Sequence, residues 1–179
     1  MVRRFALALA VLVVLCGMAG CGDKSRESSD TQTSETYYTA PPLLTFDISG
    51  LITRDEVGEI IGREMDEAMV LEDHTILQYY AADQSASVRI AFEKLTRQEF
   101  DQKAALMVPN AADAPNLGET AKWDAESRSL MVYGRGHMIE ISTDIDNESA
   151  DSQLTKARSL TALLLERLPT EASADATGE

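Results

Sequence analysis

Three segments of the chain carry apolar residues at the three-to-four-residue spacing of a helix. The first runs from a capping box at 53–56 to Gly62, a residue type that commonly ends helices. The second begins with another capping box at 96–99 and is stopped by Pro109. The third covers about residues 150–168, where Leu and Ala form a broad apolar face. The pattern therefore predicts three helices.

Alternating apolar and polar residues, rich in β-branched and aromatic types, predict strands between these helices. The segments are 65–71, 75–82, 87–95, 120–124, 130–133 and 137–143. A three-residue hairpin loop, Gly134-Arg135-Gly136, is predicted between the last two, and 108–118 is predicted to be a loop. Together the elements predict an α+β domain in which three helices cover one face of an antiparallel sheet.

The two capping boxes belong to a longer internal similarity. Residues 52–57 and 95–100 match in character at all six positions, and the same offset pairs Tyr80 with Trp123. Two explanations stay open. One is a decayed α-β-β-β duplication, and the other is that two capping boxes look alike for the same physical reason.

The first 21 residues have the form of an export signal. Two arginines precede an unbroken apolar run of eleven residues, 5–15, which is shorter than the ~20 residues that a membrane-spanning helix needs. The sequence Met-Ala-Gly-Cys follows at 18–21. This segment resembles the lipobox of bacterial lipoproteins, although Met18 replaces the usual Leu.

The lipobox resemblance implies that residues 1–20 are a cleaved signal peptide and that Cys21 receives a diacylglyceryl group. The protein is then anchored outside the cytoplasm, on a bacterial plasma or outer membrane. Two alternatives stay open: an uncleaved N-terminal anchor, or cleavage elsewhere by the ordinary signal peptidase. After lipobox cleavage Cys21 is the only cysteine left, which excludes disulfides, thiolate catalysis and Cys-ligated zinc from the domain.

Composition divides the rest of the chain into three parts. Residues 21–42 are rich in Ser and Thr and predict a flexible tether behind the lipidated cysteine. Residues 43–168 are expected to form a single α+β domain, and 169–179 a disordered acidic tail.

Charge and motifs exclude several function classes. The net charge of −14 would repel a polyanion, so a nucleic-acid partner is not expected. No Gly-x-Ser-x-Gly nucleophile motif is present, and only His74 and His137 could serve as a catalytic base. The acidic run at 144–151 lacks the Gly and Glu that a Ca²⁺-binding EF-hand loop needs. The sequence therefore predicts no catalytic residue, no metal and no cofactor.

The residues with the best claim to a ligand are aromatic. Trp123 is the single tryptophan, and it is expected either to anchor the core or to line the rim of a cleft together with Tyr79 or Tyr80. Five methionines, at 65, 69, 107, 131 and 138, are expected to pack in the core.

Two further segments carry a resemblance to a known group. Residues 51–62 and the stretch Asn-Leu-Gly-Glu-Thr-Ala-Lys-Trp at 116–123 are similar to segments of small actinobacterial-type secreted lipoproteins of unknown function. The resemblance implies an α+β sandwich of the Mog1/PsbP type and brings no catalytic residues with it.

The sequence as a whole predicts a lipid-anchored, non-catalytic domain that binds a partner protein or a cell-envelope component. The alternatives are a carrier or sensor of a small molecule or lipid, and a hydrolase built from scattered residues.

Overall fold

The computed structural model describes residues 44–72 and 74–169, and within them the chain alternates helices with antiparallel strands. The elements are α1 (Arg54–Ile61), β1 (Met69–Leu71), β2 (Ile76–Tyr80), β3 (Ala86–Lys94), α2 (Arg97–Met107), β4 (Ala112–Asp113), β5 (Thr120–Asp124), β6 (Ser129–Gly134), β7 (His137–Ile145) and α3 (Ala150–Arg167). This order confirms the predicted α+β class. The predicted signal peptide, Cys21, the tether and residues 170–179 of the tail lie outside the described residues.

The first two helices begin where their capping boxes predict. The Thr53 hydroxyl accepts from the Glu56 backbone N–H at 3.3 Å, and the Glu56 carboxylate accepts from the Thr53 N–H at 2.9 Å. Thr96 and Glu99 repeat this arrangement at α2. Each box satisfies N–H groups that no intrahelical partner reaches, so these local residues fix where the helix starts.

The strands form one seven-stranded sheet of order β1-β2-β3-β7-β6-β5-β4, antiparallel throughout. The nine-residue strands β3 and β7 lie side by side at its centre, where Ile90 is opposite Ile141. Two meanders, β1-β2-β3 and β5-β6-β7, meet along this pair.

Two details of the sheet differ from the sequence-based prediction. Gly134 pairs with His137, so the β6–β7 hairpin has a two-residue loop of Arg135 (φ 53°) and Gly136 (φ 74°). These positive angles are typical of a type I′ turn, which matches the twist of the flanking strands. In addition, the predicted loop 108–118 contains the short strand β4, which pairs with β5.

The helices cover both faces of the sheet. Leu130 and Val132 of β6 belong to the main core, together with the apolar residues of α1 and α3. Their neighbours Met131 and Tyr133 point the other way and pack in a second cluster with Phe100 of α2. Placement of all three helices on one face is therefore not confirmed, because β6 is apolar on both sides and needs a helix on each.

The α-β-β-β order occurs twice, with β4 as an extra strand in the second half. The two halves differ in where their helix lies, since α1 and α2 pack on opposite faces. Tyr80 and Trp123 also point to opposite faces, because Tyr80 is in register with Ser87 and Trp123 with Leu130. The 43-residue offset seen in the sequence therefore does not relate equivalent positions of the strands.

Candidate functional site

Part of the α2-side face of the sheet has no helix packed on it among the described residues. The second cluster joins α2 to Met131, Tyr133 and Met138, at the β6 end of the sheet. Strands β1, β2 and β3 and the second half of β7 continue beyond it. We call this surface the open face. Its described side chains, placed by strand register, are Met69, Leu71, Ile76, Gln78, Tyr80, Ser87, Arg89, Ala91, Ser142 and Asp144, and Glu140 and Ser129 border it.

The rim of the open face is apolar and exposed. Met69 is 52%, Leu71 39% and Tyr80 47% exposed, and Val70 on the opposite side of β1 is 38% exposed. These four account for most of the large apolar side chains exposed in the described part of the chain, the others being Leu106 and Met107 on α2. Three of these four side chains, Met69, Leu71 and Tyr80, are therefore grouped on one surface instead of being scattered singly over the domain.

The exposure of Met69 and Met107 corrects the prediction that five methionines fill the core. Met65, Met131 and Met138 are buried as expected. Met69 lies on the edge strand β1, which among the described strands pairs with β2 alone, and Met107 lies on the last turn of α2. An apolar residue at an edge or a helix end is buried only if another element covers it, which the residue type alone does not show.

A polar, hydrogen-bonded network borders the open face on its β6 side. The Ser129 hydroxyl donates to the Glu140 carboxylate at 3.2 Å, and the Ser142 hydroxyl lies 3.4 Å from that of Ser129. Arg89 stands 3.8 Å from Glu140 in a loose ion pair. The network fixes a largely buried carboxylate on β7, separated by β2 and β3 from the apolar side chains of β1, so the face offers both polar and apolar contacts.

A cleft of about 480 Å³ lies where the β2–β3 hairpin meets the end of β7. Tyr80 lines it together with Asp66, Asp144 and Asp146, and Ser85 and Ser87 contribute hydroxyls. The Asp144 carboxylate also accepts from Arg128 at 2.7 Å. An aromatic ring among carboxylates and hydroxyls suits a cationic group, which a ring face and an acid both attract.

The three aromatic residues predicted to share a cleft are not brought together. Tyr79 and Tyr80 are consecutive in β2, so they point to opposite faces. Tyr79 is buried, its hydroxyl donates to the Ile52 carbonyl at 2.9 Å, and burial raises its pKa to about 12. Trp123 is 6% exposed in the main core beside Leu130. Only Tyr80 lines the open face.

The two histidines lie in different environments, one buried and one exposed. His137 is buried, its Nδ1 is 2.8 Å from the Arg135 carbonyl oxygen, and its Nε2 has no partner within the described residues. Its ring meets that of Phe46 edge-on, with centroids 5.4 Å apart. His74 is exposed, in the β1–β2 turn. In the described part of the chain neither histidine is hydrogen-bonded to a serine or a carboxylate, so the Ser-His-acid arrangement expected for the hydrolase alternative is not formed among those residues.

The acidic run at 144–151 is divided among separate roles. Asp144 faces the cleft, Glu148 pairs with Lys156, and Asp151 lies in the first turn of α3. The Lys156 hydrogen bond lowers the pKa of Glu148. Among residues 44–72 and 74–169 no group of three or more His, Cys, Asp or Glu side chains is arranged to hold a metal ion.

The open face was not predicted from the sequence, although one feature of the sequence indicates it. Ala-Met-Val-Leu at 68–71 is apolar at four consecutive positions and lies between Glu67 and Glu72, unlike the alternating strands β3 and β7. No sequence pattern indicates that Asp66 and Asp144 line the same cleft, because it is the pairing of β2, β3 and β7 that brings them there.

Comparison with known protein families, with curated proteins and with solved structures gives no match for this chain. No helix in the part that the structure describes is long and apolar enough to cross a membrane.

Proposed function

We propose that this chain is a lipid-anchored, extracytoplasmic, non-catalytic protein, and that its domain binds a partner protein or a cell-envelope component through the open face. The observation that carries the proposal is the grouping of Met69, Leu71 and Tyr80, all exposed by more than a third, around one polar surface. Exposed aromatic and methionine side chains next to fixed polar groups are typical of protein interfaces.

The lipid anchor and the open face complement each other in this proposal. Diacylglyceryl attachment at Cys21 would confine the domain to the membrane surface, and a 21-residue flexible segment would let it reach about 25 Å. Confinement raises the local concentration of an anchored domain near other envelope components, so a modest interface is sufficient for binding.

Photo-crosslinking in intact cells tests the proposal. A photoreactive phenylalanine analogue replaces Tyr80 on the open face, and a control variant carries it in place of Ala162, an exposed residue of α3. We expect a discrete crosslinked product from the Tyr80 position and none from Ala162. No product from Tyr80, or the same products from both positions, would contradict binding through the open face.

The cleft beside Tyr80 favours a second candidate function, that of a carrier or sensor for a small molecule. Its volume of about 480 Å³ lies within the range of small-ligand sites. Native and denaturing mass spectrometry of the protein purified from its own host distinguish the two. A reproducible mass excess that is lost on denaturation would favour the carrier, whereas partner binding predicts no such excess.

A further inference from the structure

The two edges of the sheet differ in how they are protected against further strand pairing. β4 is only two residues long, lies between Pro109 and Pro115, and its Asp113 carboxylate accepts from Lys122 at 2.6 Å. Both edge strands are short, and prolines and charged side chains on the strand are further devices by which proteins block an edge. β1 has no proline and no basic residue, and its Met-Val-Leu side chains are 52%, 38% and 39% exposed.

The backbone of β1 is paired on one side only by the described residues. Met69, Val70 and Leu71 are in register with β2, and β1 ends the strand order. Upstream, the Asp66 N–H donates to the Tyr80 carbonyl at 2.9 Å, while Met69 lies opposite Gln78. The chain advances three positions from Asp66 to Met69, but its partner strand advances only two, between Tyr80 and Gln78. The extra residue indicates a bulge before Met69, which limits the regular edge to about three residues.

The edge is framed by negative charge. Residues 64–73 contain five acidic residues and no basic one. The neighbouring cations are Arg54, which is 3.2 Å from Glu67 and is itself about half exposed, and Arg63, whose Nε donates to the Ser85 hydroxyl. Asp144 and Asp146 line the Tyr80 cleft on the same face, where Asp144 is paired with Arg128 and Asp146 adds a further carboxylate. A chain that approaches this edge therefore meets an apolar centre with acidic ends.

We infer that β1 is the pairing edge for an extended segment of a partner protein, with apolar residues at alternate positions and Lys or Arg at its ends. The inference rests on the proposed function and names the class of partner. The segment would continue the sheet through backbone hydrogen bonds to β1, as in other cases of strand addition. Its apolar side chains would lie beside Met69 and Leu71, and its cationic ends would meet the flanking acids.

Charge also decides between this partner and other segments that are able to form a strand. A second copy of β1 would bring its five acidic neighbours against the same five, and like charges across a strand pair are destabilising. The chain's own segment 22–42 has two basic and four acidic residues, so it too is net negative. A basic segment of another protein is the occupant that the edge attracts.

The test uses the full-length protein in non-ionic detergent and three fluorescent nine-residue peptides. The first alternates Val and Thr and has two Lys at each end. The second has Glu in place of Lys. The third is the Lys peptide with N-methyl groups along both backbone edges, which blocks strand pairing without changing charge. Fluorescence anisotropy measures binding at low and at high salt.

A charge-swapped variant locates the site. Glu67→Lys/Glu72→Lys reverses the two ends of β1, and both side chains are exposed. Glu119→Lys/Glu126→Lys is the matched control, because it makes the same change in net charge on exposed residues that flank β5 near the blocked edge. Thermal unfolding checks that both variants remain folded.

We expect the Lys peptide to bind the unaltered protein, and the Glu and N-methyl peptides to bind at least ~10-fold more weakly. The Glu67/Glu72 variant should lose the Lys peptide and gain the Glu peptide, whereas the Glu119/Glu126 control should bind as the unaltered protein does. Equal binding of the methylated peptide, or equal losses in both variants, would overturn strand addition at β1. Concentration-dependent dimers that the Glu67/Glu72 swap strengthens would point to a second copy instead and also overturn it. If the peptides fail but crosslinking at Tyr80 succeeds, only this inference is wrong and the proposed function stands.

Discussion

Glu56 and Arg167 form a two-point ion pair that joins the start of α1 to the end of α3, across 111 residues of sequence. The guanidinium donates to the two carboxylate oxygens at 2.5 and 2.9 Å, and the same arginine donates to the Leu51 carbonyl at 2.8 Å. An anion at a helix N-terminus and a cation at a helix C-terminus are each favoured by the helix dipole. The contact therefore fixes α1 on α3 while it completes a capping box.

Glu56→Gln should destabilise the domain in a pH-dependent way. The Arg167 hydrogen bonds, followed by that of the Thr53 N–H, lower the pKa of Glu56 from 4.5 to about 2. Since the folded protein has the lower pKa, this stabilisation is complete above about pH 4.5 and is lost as the pH falls toward 2. The side chain is about one third exposed, so we expect a loss of only ~1 kcal/mol at neutral pH.

Thermal unfolding from pH 7 to pH 2 checks this. The difference in Tm between the unaltered protein and Glu56→Gln should shrink to near zero at the acid end. Glu59→Gln, an exposed position of the same helix, should show little difference at any pH. A Glu56→Gln effect that is constant over the whole range would mean that the ion pair does not stabilise the fold.

Substitution by Phe should destabilise the protein at Tyr79 but not at Tyr80. Tyr79→Phe removes a buried hydroxyl and leaves the Ile52 carbonyl without its donor, at a cost of ~1 kcal/mol or somewhat more. Tyr80→Phe changes a side chain that is 47% exposed and should leave the free energy of unfolding unchanged. Chemical denaturation of both variants measures this, and equal effects would contradict the assignment of the two rings to opposite faces.

The helix starts could be predicted from sequence because capping is local. Thr53 and Glu56 contact each other within one turn, so the four-residue pattern contains the whole interaction. The predicted ends of the two longest strands, β3 and β7, also lie close to the observed ends, because both strands alternate clearly between apolar and polar residues. Fold class follows from such local elements.

The open face could not be predicted in this way. Whether Met69 is buried depends on where α2 packs on the sheet. Phe100 of α2 packs against Met131 and Tyr133 of β6, so α2 does not cover Met69. That choice is made by contacts across the sheet between residues far apart in sequence. The same holds for Trp123, whose burial beside Leu130 requires the β5–β6 pairing.

Three glycines should differ sharply when changed to alanine. A Cβ at Gly118 would lie 2.4 Å from the Tyr133 carbonyl oxygen, at a φ of +54°, so strain and collision combine to cost ~3 kcal/mol. Gly62 has a φ of +75° but open space around it, and we expect ~1 kcal/mol. Gly50→Ala should be near neutral, since nothing lies within 4 Å of the added carbon. Denaturation midpoints that do not follow this order would refute the close contact at Gly118.

Cys21→Ala should release the protein from the membrane fraction and abolish incorporation of labelled fatty acid. The expectation follows from the lipobox resemblance, because two acyl chains hold a protein on a bilayer. Cys16→Ala is the matched control and should change neither property. Membrane association that persists in Cys21→Ala, without lipid label in the unaltered protein, would favour an uncleaved N-terminal anchor instead.

Thr143 and Gln153 should show coupled effects on stability. The Thr143 hydroxyl donates to the Gln153 amide oxygen at 3.1 Å, and both side chains are almost fully buried. The Gln153 amide N–H groups reach the Ile145 and Glu148 carbonyls at 3.3 and 3.2 Å. Thr143→Val leaves a buried amide oxygen without the Thr143 donor. Gln153→Leu removes the side-chain donors to the Glu148 and Ile145 carbonyls, of which the Ile145 carbonyl keeps the Glu148 N–H, and it also removes the acceptor of the Thr143 hydroxyl. Each substitution should cost ~2 kcal/mol.

The double variant Thr143→Val/Gln153→Leu should cost less than the two single variants together, by about 1 kcal/mol, because removing both partners leaves no orphaned group between them. Chemical denaturation of the full cycle measures this coupling. Thr143→Val combined with Ser159→Ala, on the exposed side of α3, should be additive and serves as the control. If the Thr143 and Gln153 effects also add within ~0.3 kcal/mol, the buried hydrogen bond does not help to hold the start of α3 against β7.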